Sequence, residues 1–244
     1  MAAKTGAFLV VVVALLVPSL AVGQTIDTNR PGFSFSPNVV GPGQWQLETG
    51  IMHIQIDKDT SATFVPMAEV RFGVADQLEV FVSSLSWLKT KSSSDETSGL
   101  VDMALGAKVN VSDAEAKTQM ALLFQLSVPT GEHEVSSNRW DPSIAFIWTH
   151  SGDLAIAGTV KISQFESGFQ LDNGLKLPFS WSDSHSGFVE WEASLQENGG
   201  SIHWLNGGYQ WLINDRTQID FNVGLGLNAQ ADDYRLGGGF SIQL

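Results

Sequence analysis

Tyr234-Arg235-Leu236-Gly237-Gly238-Gly239-Phe240-Ser241-Ile242-Gln243-Leu244 ends the chain in unbroken alternation. Tyr234, Leu236, Gly238, Phe240, Ile242 and Leu244 fall on one face, and Arg235, Gly237, Gly239, Ser241 and Gln243 on the other. A strand sends successive side chains to opposite faces and a helix does not, so this period of two predicts a strand. The segment before it repeats the pattern, with Ile219, Phe221, Val223, Leu225 and Leu227 opposed by Gln218, Asp220, Asn222, Gly224 and Gly226.

The same alternation recurs towards the N-terminus. Val189, Trp191, Ala193 and Leu195 oppose Glu190, Glu192, Ser194 and Gln196, and Leu171, Leu175, Leu177, Phe179 and Trp181 oppose Gln170, Asp172, Gly174, Lys176 and Ser180. Leu154, Ile156, Val160 and Ile162 oppose Ala155, Thr159, Lys161 and Ser163. Met120, Leu122, Phe124, Leu126 and Val128 oppose Gln119, Gln125 and Ser127, and Val101, Met103, Leu105 and Val109 oppose Asp102, Gly106, Lys108 and Asn110. Weaker segments at 45–56, 64–74, 78–88, 144–150 and 202–213 bring the total to about twelve strands of the length a tilted strand needs to cross a bilayer, an even count of the kind bacterial barrels close with. Pro66 predicts a bulge or a strand end within its segment, because proline cannot donate to the ladder.

Composition narrows the class. The chain has 244 residues, 43% hydrophobic and only 16% charged, with a formal net charge of −13 and no cysteine. Soluble domains carry about 25% charged residues, so something other than Lys and Glu coats this surface. The acidic excess disfavours nucleic acid, and the missing cysteines exclude disulfides and thiolate metal sites. Lys4, an apolar run over 6–17, Pro18 and the small residues Ala21-Val22-Gly23 predict a signal peptide over 1–23, cleaved before Gln24. No long apolar segment follows, which excludes a helical inner-membrane protein.

The connections alternate in kind. Short polar turns at Asp76, Asp113, Asp153, Asp183 and Asp215 are separated by longer links over 89–99, 130–141, 164–168 and 196–201. Short periplasmic turns with longer extracellular loops are the asymmetry of an outer-membrane barrel. A soluble sandwich or calycin-like barrel would show the same period, but its polar face would be wetted and richer in Lys and Glu. Here that face is mainly Gly, Ser, Asn and Gln. Trp45, Trp87, Trp148, Trp181, Trp191 and Trp211 fall near strand ends, where membrane girdles sit. The expectation is an all-β, antiparallel, up-and-down transmembrane barrel over 44–244, preceded by an extended lead-in at 24–43 that is either periplasmic or a luminal plug.

Certain residues carry a family resemblance. Asp27-Thr28-Asn29-Arg30-Pro31-Gly32-Phe33-Ser34, then Val39 to Gly50, the turn Phe72-Gly73-Val74-Ala75-Asp76-Gln77-Leu78-Glu79, and Gly224 to Asn228 through Gly237 to Phe240 resemble a family filed under the meta-pathway of phenol degradation, or simply as "transporter". The resemblance implies an outer-membrane barrel in a Gram-negative bacterium passing small, aromatic or hydrophobic compounds, and carries no catalytic residues. Apolar residues at the last, third-last and fifth-last positions (Leu244, Ile242, Phe240) also resemble the outer-membrane assembly signal, whose terminal residue is usually aromatic.

With the polar face inward, the lumen is lined by Glu48, Glu69, Arg71, Glu79, Asp102, Lys108, Lys161, Asp172, Lys176, Glu190, Glu192, Asp220 and Arg235. Eight acids against five bases favour cations or neutral solutes if the pore is open. The alternative is that these charges pair across the interior and plug a narrow, non-conducting structural barrel. A lipid-modifying hydrolase is the rival from another class. It would need a serine and a base on the lipid-facing surface, and Ser201-Ile202-His203 is the candidate, in the reverse order to the His-x-Ser of outer-membrane lipases. His133, between Glu132 and Glu134, reads as part of an acidic loop, and no metal or cofactor is expected. The expected partners are outer-membrane lipid, the barrel-assembly machinery through the last strand, and a small solute.

Overall fold

The computed structural model describes residues 25–197 and 199–244; the expected signal peptide lies outside them. Thirteen strands follow in order: β1 Trp45–Gln55, β2 Ser61–Ala75, β3 Leu78–Lys91, β4 Glu96–Leu100, β5 Met103–Asn110, β6 Thr118–Val128, β7 Asp141–His150, β8 Ile156–Phe165, β9 Gly168–Ser182, β10 His185–Gln196, β11 Ser201–Asn214, β12 Thr217–Gly226 and β13 Tyr234–Gln243. Neighbours in sequence pair antiparallel, and β13 pairs with β1 from Gln46↔Gln243 to Gln55↔Tyr234, closing the sheet on itself. β4 and β5 share one place: β3 pairs through Leu78–Ser83 with β5 and through Trp87–Lys91 with β4. The result is a closed, antiparallel, twelve-strand barrel, which leaves no sheet edge to satisfy in lipid.

The two faces divide as a membrane barrel requires and a soluble one does not. On β12, Phe221 and Leu225 are 57% and 52% exposed while Asp220 between strand neighbours is fully buried. Phe124, Phe146, Ile162, Leu177, Val189 and Leu236 likewise point outward, and Gln46, Glu48, Arg71, Lys108, Thr159, Glu190 and Ser241 inward. The low charge fraction of the sequence follows from this: much of the surface is apolar and suited to lipid.

Three details differ from the sequence reading. Residues 89–99, expected to be a loop, are mostly strand, because β3 continues to Lys91 and turns back into β4, with Lys89 and Glu96 paired at 2.8 Å. The 166–167 connection is a tight turn, so the contrast between rims rests mainly on the connections at 129–140 and 227–233. The inward face also holds an apolar cluster of Phe81, Ala121, Leu123, Ala145 and Ile147, where alternation alone suggested a polar wall. Pro66 sits in the expected bulge, at the register shift between Phe64 and Met67.

The segment 25–43 lies inside the barrel. It starts at the short-turn rim, where the Ile26 N–H donates to the Asp215 carbonyl at 2.7 Å, and returns to the same rim, where the Gly43 N–H reaches the Gly73 carbonyl at 2.8 Å. Gly73 is required there: a Cβ on it would collide with the Val40 and Gly41 carbonyls.

Candidate functional site: the lumen and its plug

An irregular segment inside a barrel carries a backbone donor and acceptor on nearly every residue, and buried backbone groups must be paired. Here the strands' charged side chains do the pairing. Glu48 accepts from the Asn29 and Arg30 N–H groups at 3.1 and 3.0 Å. Glu190 accepts from the Phe33 and Ser34 N–H groups at 2.8 and 2.7 Å, and Glu79 from the Val40 N–H at 2.8 Å. The Thr159 hydroxyl takes the Phe35 N–H at 3.1 Å. In the other direction, Lys108 donates to the Ser36 carbonyl at 3.0 Å, Lys176 to Ser34 at 2.6 Å, and Arg71 to Asp27 at 2.9 Å.

Ion pairs tie the wall together and lock the plug to it. Arg71 joins Glu48 and Glu79, each at 2.8 Å, with Lys108 on Glu79 at 3.2 Å; all four side chains are fully buried. Glu69 meets the Asn29 amide at 2.7 Å. The plug's own Arg30 pairs with Asp220 at 3.1 Å and lies over Gly50 and Gly239, where a Cβ would occupy the guanidinium's place. Phe33 and Ser34 occupy the space over Gly174 in the same way. Gly32 turns the plug with φ +99°, a conformation open to glycine and costly to other residues.

Of the thirteen inward charges expected from sequence, Glu48, Glu69, Arg71, Glu79, Lys108, Lys176, Glu190 and Asp220 thus belong to the plug's seat. The rest stand nearer the long-loop rim. Lys161 pairs with Asp172 at 3.7 Å, and its ammonium lies 5.7 Å from the Phe33 ring. Arg235 pairs with Glu192 at 3.2 Å and stacks 3.6 Å above the ring centroid of Trp204. Burial raises the carboxyl of loop residue Asp232 above its usual range, against the pull of nearby Arg235. Asp102 pairs with no cation among the described residues and holds a loop instead.

Sequence reasoning missed Trp204, fully buried in the lumen, and the apolar cluster on which plug residue Phe35 packs. Parity would have found both: Trp204 shares a face with inward Asn206, and Phe81 and Leu123 lie two residues from Glu79 and Gln125.

The six expected girdle tryptophans all stand on the outward face. Trp45, Trp148, Trp181 and Trp211 lie towards the short-turn rim, with Trp45 against Phe72 at 4.5 Å and Trp211 against His185 at 6.0 Å. Trp87 lies towards the other rim. Trp191 stands in the middle of β10, and the pairing from it through Leu205 and Leu225 reaches Tyr234, the first residue of β13.

His203 is stacked on Trp191 at 5.8 Å. Its backbone N–H donates to Asn228 at 3.1 Å, and Asn228 also holds the Ser201 carbonyl. Among the described residues the imidazole makes no hydrogen bond to Ser201. Nor, among those residues, are three His, Cys, Asp or Glu side chains grouped to hold a metal ion.

A family model described as "Putative MetA-pathway of phenol degradation" matches residues 28–244. The chain belongs to this family. The match begins inside the plug, so plug and barrel fall within one family unit. No curated protein sequence matches this member of the phenol-degradation family. Among solved structures, it is similar to an outer membrane channel from Pseudomonas putida F1, with a TM-score of 0.70 at 14% identity over 88% of this chain and 99% of that one. The NanC porin matches with a TM-score of 0.53 at 9% identity, over 81% of this chain and 100% of that one. The KdgM porin, solved with disordered oligogalacturonate, matches at 0.50 and 11% identity, over 81% and 98%. At these identities the likeness is one of fold.

Proposed function

We propose that this family member is an outer-membrane channel for small solutes, held shut by residues 25–43 docked in its lumen. The observation that carries this reading is the chemistry of the docking. A barrel closed for stability alone would fill its interior with strand side chains, whereas this lumen is wide enough to admit a separate segment and holds it by hydrogen bonds and ion pairs to a polar wall. The strands close through β1 and β13 without it, which is the arrangement a removable plug needs.

The solutes that fit best are small and aromatic or hydrophobic. The apolar patch of Phe81, Leu123 and Ile147 beneath Phe35 supports this, as does the phenol-degradation theme of the family description. In the same reading, the last strand hands the chain to the assembly machinery of the bacterial outer membrane, and the outward aromatic and aliphatic side chains meet its lipid.

Planar-bilayer recordings test the channel. Wild-type protein should show small or intermittent conductance, and an Arg30→Ala/Glu190→Gln variant, with the plug's two main anchors weakened, should conduct continuously. Absence of conductance from both folded proteins would overturn the proposal. Uptake of labelled monocyclic aromatic compounds into liposomes carrying the variant, compared with sugars of equal size, tests the solute class.

A further inference from the structure

Opposite β3 the partner strand is broken in two. β4 ends at Leu100 and β5 begins at Met103, while β3 runs on opposite both. The loop 129–140 docks into this break. Asp102, inward-facing and 9% exposed, accepts from the Gly131 N–H at 2.9 Å and the Ser136 hydroxyl at 2.6 Å through one oxygen, and from the Ser137 N–H at 2.8 Å and hydroxyl at 3.0 Å through the other. A carboxylate has about four acceptor positions, so the loop uses them all. The Glu132 N–H adds a bond to the Leu100 carbonyl at 2.8 Å.

So held, the loop forms one wall of a cavity of about 530 Å³ at the long-loop rim, lined by Ser137, Arg139, Asp141, Phe165, Glu166 and Gln170 among others. That is the scale of a small-ligand site. Phe165 shares the inward side of β8 with Lys161 and Ser163 and presents an apolar face to the cavity. Asp141 is 8% exposed, and its Oδ1 has no hydrogen-bond partner. Arg139 forms an ion pair with it at 3.7 Å, too long for a hydrogen bond. Asp141 lines the cavity and its carboxylate accepts no hydrogen bond among the described residues, and a ligand bearing an O–H or N–H group that reaches its carboxylate edge would supply one.

We propose that this cavity is the first solute subsite of the barrel, taking a small molecule that sets an apolar ring against Phe165 and donates a hydrogen bond to Asp141, with Asp102 as the residue that positions the loop wall. The inference rests on the channel reading for its purpose, and its test does not depend on conduction. Trp140, between Arg139 and Asp141 and 60% exposed, is a built-in reporter. Its fluorescence, taken as the difference between the full-length protein and a Trp140→Phe variant in detergent, is titrated with benzyl alcohol and with toluene, which has no donor.

Benzyl alcohol should bind the wild type several-fold more tightly than toluene. Asp141→Ala should abolish that preference, Asp141→Asn should retain part of it, and Asp102→Ala should weaken both ligands together while a spin label at Ser137 becomes more mobile. Heat-modifiable gel mobility establishes that each variant is folded. Equal affinity for the two ligands in the wild type, or an unchanged preference in folded Asp141→Ala, overturns the proposal. If the preference is found and plug-weakened protein still carries no current, the subsite stands and the channel reading falls.

Discussion

Glu190 shows what a single residue does here. Its two oxygens accept adjacent plug N–H groups at 2.8 and 2.7 Å, and Lys176 lies 3.9 Å away. Hydrogen bonds to an ionised group contribute about 1.5–3 kcal/mol each. Glu190→Ala should therefore weaken docking by about 3 kcal/mol or more, enough to change the docking equilibrium constant over a hundred-fold. Because the chain has no cysteine, a Ser34→Cys reporter gives a clean measurement: a polar thiol reagent should label it slowly in the wild type and much faster with Glu190→Ala. Arg71 is the complementary case. Removing it leaves Glu48 and Glu79 buried and short of a counter-charge, a loss of about 3–5 kcal/mol for a broken buried pair. Arg71→Met should lower the temperature of the heat-modifiable gel shift, and Arg71→Lys should recover only part, since one ammonium cannot make two forked contacts.

At the scale of elements, the channel reading requires the plug and the strands to be separable. Replacing residues 25–43 by a short Gly-Ser linker should leave a folded barrel whose conductance is several-fold higher than the wild type's. A barrel that fails to fold without the plug would instead make the segment a core element. The strands were legible in the sequence because each obeys one local rule, alternation, and lipid on one side keeps that rule strict. The plug was not, because nothing local distinguishes Asp27-Thr28-Asn29-Arg30-Pro31 packed against Asp220 from the same residues in water. Its conformation is set by partners far away in sequence. The inward charges were found by parity, while their use was hidden: a strand pattern shows that Glu190 faces the lumen, and cannot show that two backbone N–H groups arrive to meet it. Interruption of the ladder at Asp102 was invisible for the same reason, since the loop that replaces the missing pairing lies some thirty residues downstream.

For the molecule as a whole, the thirteen inward charges expected from sequence comprise eight acids and five bases, Asp141 adds a ninth acid, and the plug's Asp27 and Arg30 cancel. The open barrel should thus select cations. In a salt gradient, the reversal potential of the plug-weakened variant should indicate preference for potassium over chloride. That preference should shrink as salt rises, because the Debye length falls from about 10 Å at 0.1 M to about 3 Å at 1 M. Substituting Glu192 and Asp172 by glutamine, outside the plug's seat, should reduce it without altering plug labelling.

The arrangement of the plug's anchors also orders events in time. Residues 25–43 precede every strand in the chain, yet Arg30 waits for Asp220, 190 positions later. Loop-closure entropy of that span cannot be recovered until β12 is in place. Docking on Glu48, Arg71 and Glu79 of the first three strands needs only short spans of chain, so the pairing of Arg30 with Asp220 is the contact that joins the two ends of the chain across the bore.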